Sequence, residues 1–221
     1  MRQLGLSNGL RQRAHFLVTR MPLTEIDNRI VRKAQRGDSH AFTLIVRAYQ
    51  VPVFNYVLRT VGDRGLAEDL TQEVFLRVFQ SLPGFSFRSK FTTWLFQVTR
   101  NRMLDELRAR ERRPRCIELD AVHTLSVVDA PAEQAETIEA LWRAVDRLSL
   151  DLKMALLLRD IAGFSYDEIA EILEITLTTV KWRIYKAREE VQLMLTRPDI
   201  ATTRRTEDAS VRRLRTADGA C

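Results

Sequence analysis

Histidine and cysteine are close to absent from this chain of 221 residues, with His15, His40 and His123 far apart and only Cys116 and Cys221 for thiols. That scatter offers no metal-ligand spacing and no disulfide framework, so a metal centre or a stapled secreted domain is not expected, and a reduced, cytoplasmic protein is the simplest inference. Long hydrophobic runs are missing too. No run approaches the ~18 apolar residues that would suggest a bilayer span, and the basic first residues (Arg2, Arg11, Arg13, Arg20) are not followed by an apolar stretch with a small-residue cleavage site. Membrane insertion is therefore not expected. Strand-like alternation is absent over any useful length, and no phosphate-binding loop or paired catalytic carboxylates can be found. An enzyme acting on nucleic acid would need some such constellation, so a cofactor-free, non-enzymatic role is the expectation.

What the chain does have is helical periodicity. Ala67, Leu70, Val74, Val78 and Leu82 recur at three- and four-residue steps, as do Ile138, Leu141, Trp142, Val145 and Leu148. Gly37 with Asp38 and Ser39, Gly62 with Asp63, and Pro83 with Gly84 each stop one helix and start another, giving four helices in the first block. The first good helix should start near Thr24, followed by Asp27, and Pro52 should kink or end the second, because it removes an amide donor. The periodicity fails between Arg113 and Glu133, a polar stretch with Pro114 and Pro131, and again after about residue 195. The fold class expected is all-α, as two small helical domains joined by a flexible linker. Its parts are a flexible basic extension (1–23), a first domain (24–112), a linker (113–133), a second domain (134–195) and a disordered tail (196–221).

The second domain reads as a helix-turn-helix. Ser165 and Glu168 have the spacing of a capping box, Ile169, Ala170 and Leu173 face inward, and a turn at Glu174 and Ile175 leads to Thr176 as N-cap of a second helix. Val180, Ile184, Ala187, Val191 and Met194 make its buried stripe and leave Thr178, Thr179, Lys181, Trp182, Tyr185 and Lys186 on the outer faces. A helix so equipped fits the major groove of duplex DNA, although an ordinary pair of surface helices would show the same pattern.

In the first domain, Arg88 to Arg113 holds eight basic residues against three acidic, interleaved with Phe85, Phe87, Phe91, Trp94 and Phe96. Charge for a backbone and flat faces for bases is what a single-strand binder needs. The helical spacing of Phe91, Trp94, Leu95 and Val98 favours burial over base stacking for Trp94. Asp69, Gln72 and Glu73 form an acidic, amide-bearing helix surface that is either a protein-docking face or a merely solvated one. With 35 basic against 29 acidic residues, a net charge of +6 and a pI near 9.7, the chain fits a polyanionic partner, as would a basic surface solvated to no purpose.

Five strings in order carry a resemblance over residues 24 to 195: Gln35-Arg36-Gly37-Asp38 with Ala41-Phe42; Ala67 through Phe75; Phe91-Thr92-Thr93-Trp94-Leu95; Asn101 with Asp105 and Arg108; and the helix-turn-helix. Together they resemble the extracytoplasmic-function sigma factors of bacterial RNA polymerase, in the sigma-70 family. That resemblance implies a promoter-specificity subunit whose first domain recognises and opens the −10 element while its second reads the −35 element. The implied partners are core RNA polymerase, through the beta-prime clamp helices and the beta subunit, and promoter DNA both duplex and single-stranded; an anti-sigma factor is permitted. Carried over by position, Asp69, Gln72 and Glu73 would grip the clamp helices. Asn101, with Asp105 close by, would help form a pocket for a flipped −10 base, and Arg100, Arg102, Arg108 and Arg112 would hold phosphates nearby. Thr178, Thr179, Lys181, Trp182, Arg183 and Lys186 would serve the −35 duplex.

Two departures stand out. Thr176 to Thr179 replaces a turn that in the family often reads Pro-x-Gly-Thr, and Trp182 stands where a small residue is usual. An indole there either contacts a thymine methyl or packs on the first helix of the motif. The rival function is a free-standing helix-turn-helix regulator, which would bind a palindrome without polymerase.

Overall fold

The computed structural model describes residues 23–112 and 132–196. Nearly all of the expected N-terminal extension and C-terminal tail, and most of the linker, lie outside those residues; Thr196, expected in the tail, ends the last helix. Within them are eight α-helices and no strand: α1 (Asn28–Gln35), α2 (Ser39–Val61), α3 (Arg64–Ser81), a 3-10 turn (Leu82–Gly84), α4 (Phe91–Arg112), α5 (Ala132–Asp146), α6 (Leu150–Asp160), α7 (Tyr166–Leu173) and α8 (Leu177–Thr196).

The helices begin where a short carboxylate can take an orphan amide. The Asp27 side chain accepts from the Arg29 amide, Asp38 from Ala41 and Asp63 from Leu66. Each such cap contributes about 1 kcal/mol, and Gly62 closes α2 in the left-handed region at φ 74°. The first helix thus starts at Asn28 rather than near Thr24, whose carbonyl instead accepts from the Tyr49 hydroxyl at 3.0 Å. That hydroxyl also takes the Ile26 amide at 2.9 Å, and burial pushes its pKa up to about 12.

Pro52 neither ends nor divides α2, which runs through it for 23 residues. Burial of Val53, Tyr56, Val57 and Leu58 just beyond it offsets the lost amide donor. By length and hydropathy α2 is long and apolar enough to cross a membrane, although scattered polar residues keep it from being a continuous apolar run. Its apolar side chains are committed elsewhere: Ala41, Ile45, Tyr49, Val53 and Val57 are buried in the helical core.

That core gathers the stripe of α3 (Ala67, Leu70, Val74, Val78) with Phe91, Leu95, Phe96 and Met103 of α4. Trp94 belongs to its aromatic edge, with ring centroids 5.0 Å from Phe85 and 5.7 Å from Phe91. In the second region Val145, Leu148, Leu157, Leu158 and Phe164 close over Ile169, Ile172, Leu173, Val180, Ile184 and Ala187.

The two regions are packed against one another. Phe96 of α4 meets Phe164 edge-on at 4.9 Å, and the Arg59 guanidinium lies 3.5 Å above the Trp142 ring. Polar contacts flank this apolar seam. The Gln97 amide donates to the Glu171 carbonyl at 2.9 Å, Arg100 to the Glu174 carboxylate at 2.9 Å, and Lys90 to Glu168 at 2.8 Å. Helix α5 also opens at Ala132, inside the stretch expected as linker. A proline and a loss of periodicity mark where helices stop; they carry no information on whether the flanking helices touch.

Candidate protein and nucleic-acid interfaces

Helix α3 buries Leu66, Ala67, Leu70, Val74, Phe75 and Val78, which turns the opposite face outward. Asp69 and Gln72 are exposed on that face and Glu73 is half-buried. The same face continues with Leu76 and Phe79, 61% and 54% exposed, the Phe79 ring resting edge-on against Phe42 at 5.0 Å. Those two residues were not singled out from the sequence. The available signal was that they fall off the stripe of Val74, Val78 and Leu82, so that one face of the helix alternates between acid, amide and unshielded hydrocarbon. Such a mixture suits a protein partner better than water alone.

Helix α4 runs beside it and carries the −10 candidates on two different sides. Arg100, Asn101, Asp105 and Arg108 line an open cleft of about 420 Å³ together with Arg77 and Leu104, and Glu174 of the second region closes one side. Arg100 donates from Nη1 to the Asn101 side-chain oxygen at 2.8 Å as well as to Glu174, while its Nε is buried without a hydrogen-bond partner among the described residues. Asn101 keeps its amide exposed, and exposed Arg108 and Arg112 follow it along the same face.

Arg102 points away from this cleft. Its guanidinium is held by Glu73 of α3 and by Glu106, the latter at 2.9 Å, and its side chain is only 14% exposed. The hydrogen bond to Glu73, more than the opposing burial, raises its pKa, and the hydrogen bond from Arg102 holds Glu106 below the usual carboxylate range. The structure therefore brings Arg100, Asn101, Asp105 and Arg108 together and sets Arg102 apart as a bolt between α4 and α3.

The helix-turn-helix is built as its sequence suggests. The Ser165 hydroxyl accepts from the Glu168 amide at 3.2 Å while Glu168 accepts from the Ser165 amide at 2.7 Å. Glu174 closes α7 in the left-handed region, φ 54°, a conformation that costs a residue with a Cβ of order 1 kcal/mol. The Thr176 hydroxyl then accepts from the Thr179 amide at 3.2 Å and starts α8.

Val180, Ile184, Ala187 and Val191 are buried, and Thr178, Lys181, Trp182 and Tyr185 are exposed. Arg183 is 16% exposed and tied to Asp151 at 2.9 Å; Lys186 pairs with Glu189 at 2.7 Å, and Thr179 shares its hydroxyl with Thr176 at 2.8 Å. Trp182 is 59% exposed, so of its two readings the packing against the first helix of the motif is not what the fold adopts.

Comparison with known proteins follows the same division. Residues 45–113 match the model for sigma-70 region 2, and residues 138–191 match the model for sigma-70 region 4. The chain is 35% identical over 182 residues to the RNA polymerase sigma-H factor of Pseudomonas aeruginosa, covering 77% of this chain and 94% of that protein. It is 34% identical over 176 residues to the ECF RNA polymerase sigma-E factor of Escherichia coli K12, covering 75% and 92%. Among solved structures, the sigma factor RpoE of Bartonella quintana, determined with the anti-sigma factor NepR, shares the fold with a TM-score of 0.60 at 24% identity, over 71% of this chain and 97% of that one.

Proposed function

The chain belongs to the sigma-70 family as an extracytoplasmic-function sigma factor, a promoter-specificity subunit that binds core RNA polymerase and promoter DNA, and from that membership we propose how its surfaces divide the work. The exposed face of α3 docks on the clamp helices, with Asp69, Gln72 and Glu73 supplying polar register and Leu76 and Phe79 supplying apolar area. The α4 cleft takes the −10 strand. Asn101 reads an extruded base through its amide while Arg100, Arg108 and Arg112 neutralise phosphates, and Asp105 borders the pocket. Extruding a base costs a few kcal/mol of stacking, which a hydrogen-bonding pocket recovers. Arg102 contributes indirectly, by fixing α4 on α3. In the second region α8 enters the major groove of the −35 element, led by Thr178, Thr179, Lys181 and Trp182, with Arg183 and Lys186 at the flanks once their carboxylate partners yield to phosphate.

The observation that carries this reading is the convergence of Arg100, Asn101, Asp105 and Arg108 on one cleft of α4, next to a face of α3 that leaves Leu76 and Phe79 uncovered. The Glu174 carboxylate occupies the edge of that cleft, where a phosphate would come. We infer that the two regions separate before the −10 strand enters, and that docking on core polymerase holds them apart. The site of action is the cytoplasm, at the nucleoid when polymerase is bound. The uncovered face of α3 also fits an anti-sigma factor, the kind of partner with which the Bartonella relative was solved.

Run-off transcription with purified core polymerase across a promoter library tests the assignment. Initiation confined to templates sharing a −35 and a −10 motif is expected. Tight binding to a palindromic site with no requirement for polymerase would instead support the free-standing regulator.

A further inference from the structure

We propose that Trp182 makes the −35 reading of this protein dependent on thymine, recognising one T by its 5-methyl group together with its O4. The inference rests on the assignment of α8 to the −35 duplex and goes further by naming the base.

Trp182 lies almost diametrically opposite the buried stripe of α8, since at about 100° per residue it stands roughly 200° round from Val180. Thr178 precedes it by one turn and Tyr185 and Lys186 follow by one turn, so the indole is the centre of the outward face. It sits in the second turn, within the part of a recognition helix that approaches base edges. Its neighbours Lys181 and Tyr185 are exposed, Tyr185 at 68%, and more than half of Trp182 itself is open to solvent. An indole left 59% exposed at the tip of a cationic helix is an apolar surface waiting for a surface that is polyanionic at its rim and apolar at its floor. The DNA major groove meets that description where thymine methyls project into it.

The chemistry of the indole selects among the four bases. It offers a flat hydrocarbon surface and a single N–H donor, with no acceptor. In the major groove, cytosine presents an amino donor and adenine an amino donor beside N7, so an indole placed there sets donor against donor or leaves one group dehydrated. Guanine presents two acceptors, of which the indole can satisfy one. Thymine presents one acceptor next to a methyl group, which matches one donor next to a hydrocarbon face. A small residue at this position would cover far less of the methyl, so the indole adds contact area there rather than merely filling space.

The test uses the whole protein with core polymerase. After the preferred −35 element has been selected from a randomised library, each thymine in it is replaced in turn by deoxyuridine, which deletes only the methyl group, and by 5-methylcytosine, which keeps the methyl but exchanges O4 for an amino donor. For the wild-type protein, one position should lose about fourfold in promoter binding on going to deoxyuridine, the value of one buried methyl group. The same position should lose at least as much with 5-methylcytosine.

Trp182→Ser should abolish the methyl dependence at that position alone, and Trp182→Phe should keep it while accepting thymine and 5-methylcytosine equally. Because the side chain is exposed, both variants should fold as the parent does, which circular dichroism checks. Specific initiation with thymine and deoxyuridine equivalent at every −35 position would overturn the inference and leave the sigma assignment standing. Absence of any promoter-specific initiation would overturn the assignment itself, and the inference with it.

Discussion

Glu73, on the face of α3 that we assign to polymerase, accepts a hydrogen bond from the Nε of Arg102, on the helix that we assign to −10 DNA. The two surfaces are thus joined by an ion pair 29 residues apart in sequence, with Glu106 closing the other side of the guanidinium. A substitution at Glu73 acts on both.

That link changes what a docking experiment should show. Asp69→Lys should weaken association with core polymerase and leave thermal stability within about 0.5 kcal/mol, as exposed substitutions usually do. Glu73→Gln should weaken association and also destabilise the free protein by about 1 kcal/mol, because Arg102 keeps Glu106 but loses its other carboxylate. Titration of core polymerase alongside thermal melting separates the two effects. Undiminished affinity in both variants would remove α3 from the interface.

The two DNA tasks should also separate. Lys181→Ala should cost about 1–3 kcal/mol of promoter binding where the −35 sequence is favourable, if the lysine contacts a base. Asn101→Ala should spare the closed complex and slow opening on duplex promoters, with partial recovery on templates already mismatched at −10, since the unpairing cost is then absent. Normal opening rates with an unchanged −10 preference would show that Asn101 does not form the pocket.

Local stability of the DNA-reading motif hangs on Ser165. Ser165→Ala removes the acceptor for the Glu168 amide and should lower stability by about 1 kcal/mol, while Ser165→Asp should restore most of it. Chemical denaturation of the three proteins measures this, and equal midpoints would show that the box contributes nothing.

Acid should part the two regions. Burial works against ionisation of Glu168, but hydrogen bonds from Lys90 and Ser165 outweigh it and hold its pKa below the ordinary glutamate value. A depressed carboxylate contributes stability that is complete above its unfolded pKa and lost as the pH falls through its folded one. The Lys90 contact should therefore loosen over the acid interval that begins near the unperturbed glutamate value, about 4.3, and runs down through the lower folded one. Lys90 itself is shifted up, by the same hydrogen bond first, so its own loss belongs to the alkaline side and does not intrude. Energy transfer between dyes on α2 and α8 reports the separation; a constant signal over that interval would mean that other contacts hold the seam unaided.

Much of this was legible beforehand because it is local. A side chain that caps its own helix three residues away, as Asp38, Asp63 and Ser165 do, is encoded by spacing alone, and so is the stripe from Val180 to Val191. The engagement of Arg102 by Glu73 could not be read, because it depends on the rotation of α4 against α3. The seam between Phe96 and Phe164 could not be read either, since each phenylalanine serves its own helical pattern equally well. Exposure of Leu76 and Phe79 was less evident, for the opposite reason, whereas Trp182 already fell on the outer face of α8 by spacing. Periodicity marks apolar residues as inward by default, and only the final packing reveals which of them have been left out.

The Glu174 carboxylate beside Arg100 has one more consequence, in how counterions are counted. A cation on a DNA-binding surface normally releases bound counterions when it meets a phosphate, and the slope of log affinity against log salt reports how many do so. Arg100 is already neutralised by Glu174, and Lys90 by Glu168. Added salt weakens these internal pairs as well as the external ones, so part of what it takes from the complex it returns by easing the protein open. The salt dependence of promoter binding should then be shallower than the number of phosphates touched, and removing Glu174 should make it steeper.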